Sequence, residues 1–289
     1  MRRHRTTAAL LGLIGIFAAT FATSASGREG STVPRLIFPL VARTVLWDNY
    51  GDPRPNGRHA GIDMENPWRA PVVAVENGTI KYWESGLGGC MLYLYGSSGT
   101  TYMYIHLNND ITPKNDNKGR CTKDVAFAVP NGATVTAGQQ IAWNGDSGDA
   151  SGNPHLHFEV HPNDGVDVDP FRYLKRAVKP LFPAPEGSVF SLALHGQLVA
   201  AGARAATLEV DRVRKYPGGR WLDVDPRVIE LTVPLGTDAR PFAQLASATL
   251  HPLNKPANVT VFTLKANATR TAIVGAPGEL LLGRVAATP

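Results

Sequence analysis

The sequence predicts an all-β protein, and two observations lead to this expectation. Short apolar runs recur along the chain, with glycine, asparagine or proline between them. Runs of this length bounded by turn-forming residues are typical of β-strands. No segment shows the apolar periodicity of a helix of any length. The clearest strand-like runs are residues 70–83, 90–96, 100–107 and 139–145.

The chain divides into two strand-rich regions with a proline-rich segment between them. Its 289 residues exceed the roughly 100–200 residues of one typical domain. Residues 36–175 form the first region, and RAVKPLFPAPEG at residues 176–187 is predicted to be a linker. Residues 188–289 contain further alternating runs, which predict a smaller β-sandwich-like domain. No motif assigns a role to this second domain.

Residues 1–26 have the three-part pattern of a secretory signal peptide. Three arginines precede an apolar stretch over residues 8–22, and small residues follow it. The competing interpretation is an uncleaved anchor, but the stretch is shorter than the roughly 20 residues of a membrane-spanning helix. We therefore expect an exported mature protein without an integral membrane segment.

The net charge argues against a nucleic-acid partner. The formal charge of +5 includes Arg2, Arg3 and Arg5, so removing the predicted signal peptide lowers it to +2. No basic stripe is evident in the rest of the sequence. A nucleic-acid-binding protein would carry a concentrated positive surface.

Cys90 and Cys121 are the two cysteines of the chain, and both lie in the part predicted to be exported. An oxidising compartment makes a disulfide between them plausible, while two unpaired thiols are the alternative. Closing a loop of this length would stabilise the fold by roughly 3–4 kcal/mol in the chain-entropy model.

The run NPHLHFEV at residues 153–160 places histidines in a predicted strand. Alternation along the strand would direct His155, His157 and Glu159 to one face and the apolar residues between them to the other. A polar face turned towards solvent is the ordinary explanation of such a pattern. A functional site is indicated only if other histidines converge on the same face.

Two further segments present a histidine in the same way. In RHAGIDM, His59 and Asp63 point in one direction, whether the segment is a strand or a helical turn. In TTYMYIHL, alternation predicts that His106 shares a polar face with Tyr102 and Tyr104. Histidines combined with a carboxylate are the ligands of catalytic zinc sites. We therefore expect the three segments to form one site.

The motifs themselves resemble a known family. HAGID (59–63), IHL (105–107) and HLHFEV (155–160) resemble the three signature motifs of the lysostaphin/LytM-type zinc metallopeptidases, the duplicated hybrid motif family. The resemblance covers residues 36–175. The segment between His106 and Asn131 looks longer than the loop usual in that family, and it is expected to alter the rim of the groove.

The resemblance implies a site and an activity. His59, Asp63 and His157 are expected to bind Zn²⁺, and His106 and His155 to be the catalytic histidines. The implied fold is an antiparallel β-sheet domain with a long groove. The implied activity is hydrolysis of bacterial peptidoglycan, in stem peptides or cross-bridges, by a zinc-activated water. The location would be the periplasm, the extracellular space or the cell wall.

The roles of the two catalytic histidines can be assigned only provisionally from sequence. His155 is expected to be the general base because it neighbours the ligand His157 along the strand. His106 would then stabilise the oxyanion or help to move the proton. The two roles could be exchanged.

Two alternatives compete with a zinc endopeptidase. The sequence GDSG at residues 145–148 is also found around the nucleophile of chymotrypsin-like serine proteases, with Ser147 as the candidate, but the motif of a partner histidine is missing. The second alternative is a catalytically silent, wall-binding or regulatory LytM-like protein. The C-terminal region could in either case bind a cell-wall or protein partner.

Overall fold

The computed structural model describes residues 33–55, 57–185, 188–201, 205–216, 218–232, 258–263, 266–267 and 282–287. The predicted all-β fold is confirmed, because the regular structure of these residues is almost entirely strand. The one α-helix described, α1 (Phe171–Leu174), is four residues long. Among the described residues, no helix has the length and apolarity needed to cross a membrane. The predicted signal peptide, residues 1–26, lies outside the described part of the chain.

The strands of the first region are β1 (Pro53–Arg54), β2 (Gly57–Arg58), β3 (Ile62–Glu65), β4 (Pro71–Val73), β5 (Gly78–Ser85), β6 (Gly89–Gly96), β7 (Thr100–Leu107), β8 (Thr134–Val135), β9 (Gln140–Trp143) and β10 (His155–Pro162). Six of them form an antiparallel sheet in the order β3-β10-β7-β6-β5-β8. β4 and β9 pair separately, and β1 and β2 form a short hairpin. The three motif segments therefore lie next to each other, with β10 between β3 and β7.

Strand β7 differs from the predicted alternation. Tyr102 and Tyr104, expected on a polar face with His106, are fully buried in the core, and the Tyr104 ring contacts Phe158 edge to face at 5.2 Å. Burial removes the large apolar area of both aromatic rings from water, and this gain exceeds the cost of burying their hydroxyl groups. The predicted polar face of β7 is therefore wrong for the two tyrosines.

A β-bulge returns His106 to the opposite face. Cys90 pairs with Leu107 and Leu92 pairs with Tyr104, so β7 has one residue more than β6 between these pairs. His106 has a φ of 62°, a left-handed conformation that is uncommon for residues other than glycine. The bulge resets the alternation, so that His106 lines the same cleft as Ile105.

The second region forms another antiparallel sheet. Its strands are β11 (Val189–Ala201), β12 (Ala205–Tyr216), β13 (Leu222–Thr232), β14 (Asn258–Thr263), β15 (Ala266–Asn267) and β16 (Leu282–Ala287). The order is β13-β12-β11-β14-β16, and β15 pairs with the start of β11. The described residues show this one sheet in the region. The β-sandwich expected for residues 188–289 stays a prediction, because residues 233–257 and 268–281 lie outside the described part.

The two regions share apolar contacts. One core fills the space under the first sheet, and a second core lies between that region and the C-terminal sheet. Leu194 and Leu208 of the sheet pack in this second core with Ile37, Val41 and Val178. A polar contact also joins the two regions, because Lys179 Nζ forms an ion pair with Asp225 Oδ2 at 2.6 Å. The segment predicted as a linker includes Val178, and the side chain of Val178 packs in the second core.

Candidate active site

Strands β3 and β10 bring two of the predicted metal ligands together. In the register of this pair, Asp63 lies directly opposite His157. Gly61 directly precedes β3, and an added Cβ there would lie 2.5 Å from the Phe158 carbonyl oxygen and 2.8 Å from His157 Nε2. A glycine is therefore needed at this position, since any side chain would push His157 or the strand away.

His59, Asp63 and His157 converge on one point, as the sequence predicts. Asp63 Oδ1 lies 3.0 Å from His59 Nε2 and 2.8 Å from His157 Nδ1, and these two nitrogens are 2.9 Å apart. The three residues form a group that could hold a metal ion. Two imidazole nitrogens and one carboxylate oxygen are a ligand set of catalytic zinc sites, which keep a fourth position open. The donor set therefore fits zinc.

Hydrogen bonds at the back of the two imidazoles fix which nitrogen faces the group. His59 Nδ1 donates to the backbone carbonyl of Asn49 at 2.7 Å, which leaves Nε2 to face the cluster. The Asn49 side chain also accepts from the backbone N–H of Asp63 at 3.2 Å. His157 Nε2 donates to Glu159 at 2.9 Å, which leaves Nδ1 to face the cluster. Partners of this kind hold ligating histidines in place in metal sites.

The charges of the cluster favour a cation. Burial would raise the pKa of Asp63, but hydrogen bonds from His157 and His59 hold it well below its usual value. Burial would lower the pKa of His157, but its hydrogen bonds to Asp63 and Glu159 raise it to about 9. The ionised carboxylates of Asp63 and Glu159 thus stabilise a positive charge on His157. They would stabilise a bound metal ion in the same way.

The predicted catalytic histidines, His106 and His155, lie beside this group. His155 Nε2 is 3.6 Å from Asp63 Oδ1, and the rings of His106 and His155 are 4.8 Å apart between centroids. His106 Nδ1 donates to the Ser147 carbonyl at 2.9 Å, and His155 Nδ1 donates to the Asn153 carbonyl at 2.8 Å. Carbonyls can only accept, so in the neutral ring each Nε2 is a proton acceptor.

Burial affects the protonation state of His106. Its pKa falls to about 4, first because of burial and then because of the neighbouring His155. A neutral imidazole with a free Nε2 can accept a proton at neutral pH. All five residues predicted for the site are therefore adjacent, and their geometry permits metal binding with proton transfer beside it.

Ser147, the candidate serine nucleophile, is occupied by structural contacts. Its hydroxyl donates to the Leu107 carbonyl at 2.6 Å and accepts from the Cys90 N–H at 2.9 Å. The side chain is buried, so it joins β6, β7 and the turn before β10. This arrangement gives no support to a serine nucleophile.

The five side chains open into a cleft of about 580 Å³. One side is formed by the β1–β2 hairpin, including Arg54, and another by the turn at residues 149–153. Leu87 and Met91 add apolar surface. A concave site with apolar walls and a few converging polar groups is typical of a ligand-binding site.

The long segment after His106 braces one wall of the cleft. Cys90 and Cys121 form a disulfide, which confirms the pairing that sequence left open. Between the two cysteines, Asn115 donates to Asp146 at 2.9 Å and Asn117 donates to Ser151 at 3.1 Å. The segment therefore supports the turn at residues 146–153, as expected of a loop at the rim.

Comparison with known proteins gives partial matches. No family model matches the chain. An uncharacterized metalloprotease of Haemophilus influenzae is 32% identical over 114 residues, which are 39% of this chain and 20% of that protein. Lysostaphin of Staphylococcus simulans is 30% identical over 127 residues, 42% of this chain and 22% of that protein. The resemblance to the lysostaphin/LytM-type metallopeptidases is confirmed.

A lipoprotein and a solved peptidase domain match to a similar extent. The uncharacterized lipoprotein YgeR of Escherichia coli is 30% identical over 157 residues, 52% of this chain and 55% of that protein. The solved catalytic domain of the antimicrobial peptidase lysostaphin from S. simulans is 27% identical with a TM-score of 0.36, and the match covers 46% of this chain and 92% of that domain. The chain thus matches between 20% and 55% of the length of the three curated relatives.

Three residues that act on the site were not predicted as site residues. Asn49 holds His59 and Asp63, Glu159 holds His157, and Arg54 contacts Asp63 at 2.6 Å. Alternation does place Glu159 on the face of the two histidines, which was a usable signal. Asn49 lies in an irregular segment and Arg54 in the two-residue strand β1, and the approach of these segments to the site has no sequence signature.

Proposed function

We propose that this chain is an exported zinc metalloendopeptidase that hydrolyses peptide bonds in bacterial peptidoglycan. The observation that carries the proposal is the convergence of His59, Asp63 and His157 on one point with His106 and His155 beside them. The similarity to lysostaphin and to a metalloprotease supports the reaction class. The cleft supports a peptide substrate, because it brings the five polar side chains together with apolar surface from Leu87 and Met91.

The metal and the protein would share the chemistry. Zinc held by His59, Asp63 and His157 would supply the Lewis acidity that activates water and polarises a peptide carbonyl. His155 acts as general base, because its accepting Nε2 faces the ligand group at 3.6 Å from Asp63. The proton that His155 takes from the water would return to the leaving amine, either directly or through the neighbouring His106, whose Nε2 would accept it and then donate it towards the oxyanion or the amine. The two histidines can exchange these roles, because both present an accepting Nε2.

Export fits the covalent structure. The Cys90–Cys121 disulfide is characteristic of an oxidising compartment. Removal of residues 1–26 as a signal peptide would give a periplasmic, cell-wall or extracellular enzyme. Amino-terminal sequencing of the protein recovered from the envelope or medium tests this, and a start at Met1 would contradict it.

The activity is tested with purified peptidoglycan of several wall types. The zinc-loaded protein should release peptide fragments, and mass spectrometry of these fragments identifies the bond. Asp63→Ala should abolish release, while Glu209→Ala, which removes an exposed carboxylate of the C-terminal sheet, should not. Full wall hydrolysis by Asp63→Ala would show that the proposed metal site is wrong.

The alternative is a catalytically silent LytM-like protein that binds the wall or regulates a hydrolase. The similarity to a lipoprotein with no stated activity favours it. The presence of all five site residues in one cleft argues against it. Zinc binding without release of any fragment from any wall type would support this alternative over the enzyme.

A further inference from the structure

Arg54 places an exposed cation at the edge of the metal-binding group. One terminal nitrogen of its guanidinium lies 2.6 Å from Asp63 Oδ2, the carboxylate oxygen that the histidines do not contact. Its side chain is nevertheless 45% exposed and lines the cleft. A guanidinium has five N–H donors in a planar fork. The contact with Asp63 therefore leaves donors that can face a ligand in the cleft.

Arg58, on the other strand of the same hairpin, has a different role. Its two terminal nitrogens contact the two carboxylate oxygens of Asp167 at 2.6 and 2.9 Å. Its guanidinium carbon also lies 5.1 Å from the centre of the Tyr50 ring. Arg58 thus anchors the hairpin, because Asp167 contacts both of its terminal nitrogens. Both arginines line the cleft, but Arg58 is held on Asp167 whereas Arg54 contacts the metal-binding group.

The cleft has an opposite charge at its other end. From Asp63 the contacts continue to His155, then to His106, and then to Asp149, whose carboxylate lies 3.8 Å from His106 Nε2. Asp149 is 62% exposed. A cation and an anion therefore flank the reacting groups. A carboxylate on a bound peptide would be attracted to the Arg54 end and repelled from the Asp149 end.

We propose that Arg54 is a specificity-determining residue that binds a carboxylate of the substrate next to the scissile bond. This inference rests on the proposed peptidase function and names its substrate class. The substrate is a cross-linked wall peptide with a free carboxylate beside the cleaved bond, such as one containing diaminopimelate. An uncharged glycine bridge offers nothing for Arg54 to bind. Repulsion by Asp149 also selects one direction of the peptide in the cleft.

The test uses two peptidoglycan dimers that differ in one group, a free carboxylate or a carboxamide on the diaminopimelate at the cross-link. The measurement is kcat/KM for each dimer with the zinc-loaded full chain. The ratio of the two values within one preparation does not depend on the fraction of protein that is folded or loaded. The wild type should prefer the carboxylate at least about fivefold, as expected of a charge-assisted contact that is partly exposed.

Variants of Arg54 and of a lysine outside the cleft separate recognition from charge. Arg54→Gln should reduce the ratio to about one, and Arg54→Lys should give an intermediate ratio because it keeps the charge but loses the fork. Lys81→Gln removes an exposed positive charge of the first region that does not line the cleft, and it should keep the wild-type ratio. A glycine-bridged dimer should be a poorer substrate than the free-acid dimer for the wild type.

The outcomes that overturn the inference are distinct from failure of the proposed function. If the wild type cleaves no wall peptide, the proposed function fails and the inference fails with it. Cleavage of the acid and amide dimers at equal rates overturns the inference alone. An unchanged ratio in Arg54→Gln also overturns the inference. If zinc binding in a chelator competition is weaker as well, Arg54 only orients Asp63.

Discussion

Glu159 joins two histidines on the cleft side of β10. Its two oxygens accept from His157 Nε2 at 2.9 Å and from His161 Nε2 at 2.6 Å. Burial would raise the pKa of Glu159, but these hydrogen bonds lower it to about 2. An ionised carboxylate behind a ligating imidazole orients the ring and makes it a better metal donor. Glu159 is therefore expected to contribute to metal affinity through its hydrogen bond to His157, without being a ligand itself.

We expect Glu159→Gln to weaken zinc binding by about 10–100-fold, because the neutral amide is a poorer partner for His157. The dissociation constant is measured by competition with a zinc chelator. His161→Asn removes the other partner of Glu159 and should have a smaller effect. An unchanged zinc affinity in Glu159→Gln would contradict a positioning role.

Two glycine positions form a second test at the residue scale. Gly61→Ala should destabilise the fold and weaken zinc binding, because the new Cβ would collide with the Phe158 carbonyl and with His157. We expect a loss of unfolding free energy of about 1–3 kcal/mol, the usual cost of overpacking. Gly86→Ala, at a position with no neighbouring atom within 4 Å, is the matched control. Denaturant unfolding measures both, and equal stabilities would refute the argument.

The proximity of the five site residues could be predicted from sequence because each lies in a short motif with a recognisable pattern. His59 and Asp63 share a direction, and His157 follows His155 by two positions in a strand. The role of Asn49 could not be predicted, because it holds His59 through a backbone carbonyl, which every residue possesses. Arg54 is likewise one exposed arginine in a short hairpin until the fold places it against Asp63.

At the scale of single elements, β7 shows where pattern reasoning fails. Regular alternation puts His106 on one face with Tyr104, but Tyr104 is buried and His106 lines the cleft. One strand can serve both purposes because the bulge at His106 changes the face after Ile105. A bulge depends on the pairing partner, so the sequence of β7 alone contains no signal for it. The strand itself could be predicted, but the direction of its side chains could not.

The disulfide-closed segment gives a prediction at the same scale. Cys90→Ala/Cys121→Ala should lower the free energy of unfolding by about 2–4 kcal/mol. The rate of backbone amide hydrogen exchange should rise in residues 108–121 and also in residues 146–153, because Asn115 and Asn117 bridge the two segments. Faster exchange in residues 108–121 alone would mean that the segment does not support the wall of the cleft.

On the scale of the whole molecule, a short segment near the start of the first region separates two cores. Leu36, Phe38 and Leu40 face the core of the first region, while Ile37 and Val41 face the core shared with the C-terminal sheet. Alternating residues of one extended segment thus serve both cores. The proline-rich segment indicated two regions in the sequence. Their shared core could not be predicted, because an apolar residue does not reveal which neighbour covers it.

The shared segment predicts cooperative unfolding. Calorimetry should show a single thermal transition. Leu36→Ala and Ile37→Ala should both lower its midpoint temperature, although the two side chains face different cores. Each should cost about 2–5 kcal/mol, as for other buried Leu or Ile truncations. Two transitions, with Ile37→Ala affecting only one of them, would show that the regions unfold independently.

This dividing segment also limits how the protein can be reused in engineering. A fusion that transplants only residues 33–185 onto a foreign carrier would leave Ile37, Val41 and Val178 uncovered, because the C-terminal sheet normally buries them. Such a chimera would tend to self-associate through the uncovered surface. A workable transplant would either retain residues 188–289 as a scaffold or replace those three side chains with polar ones.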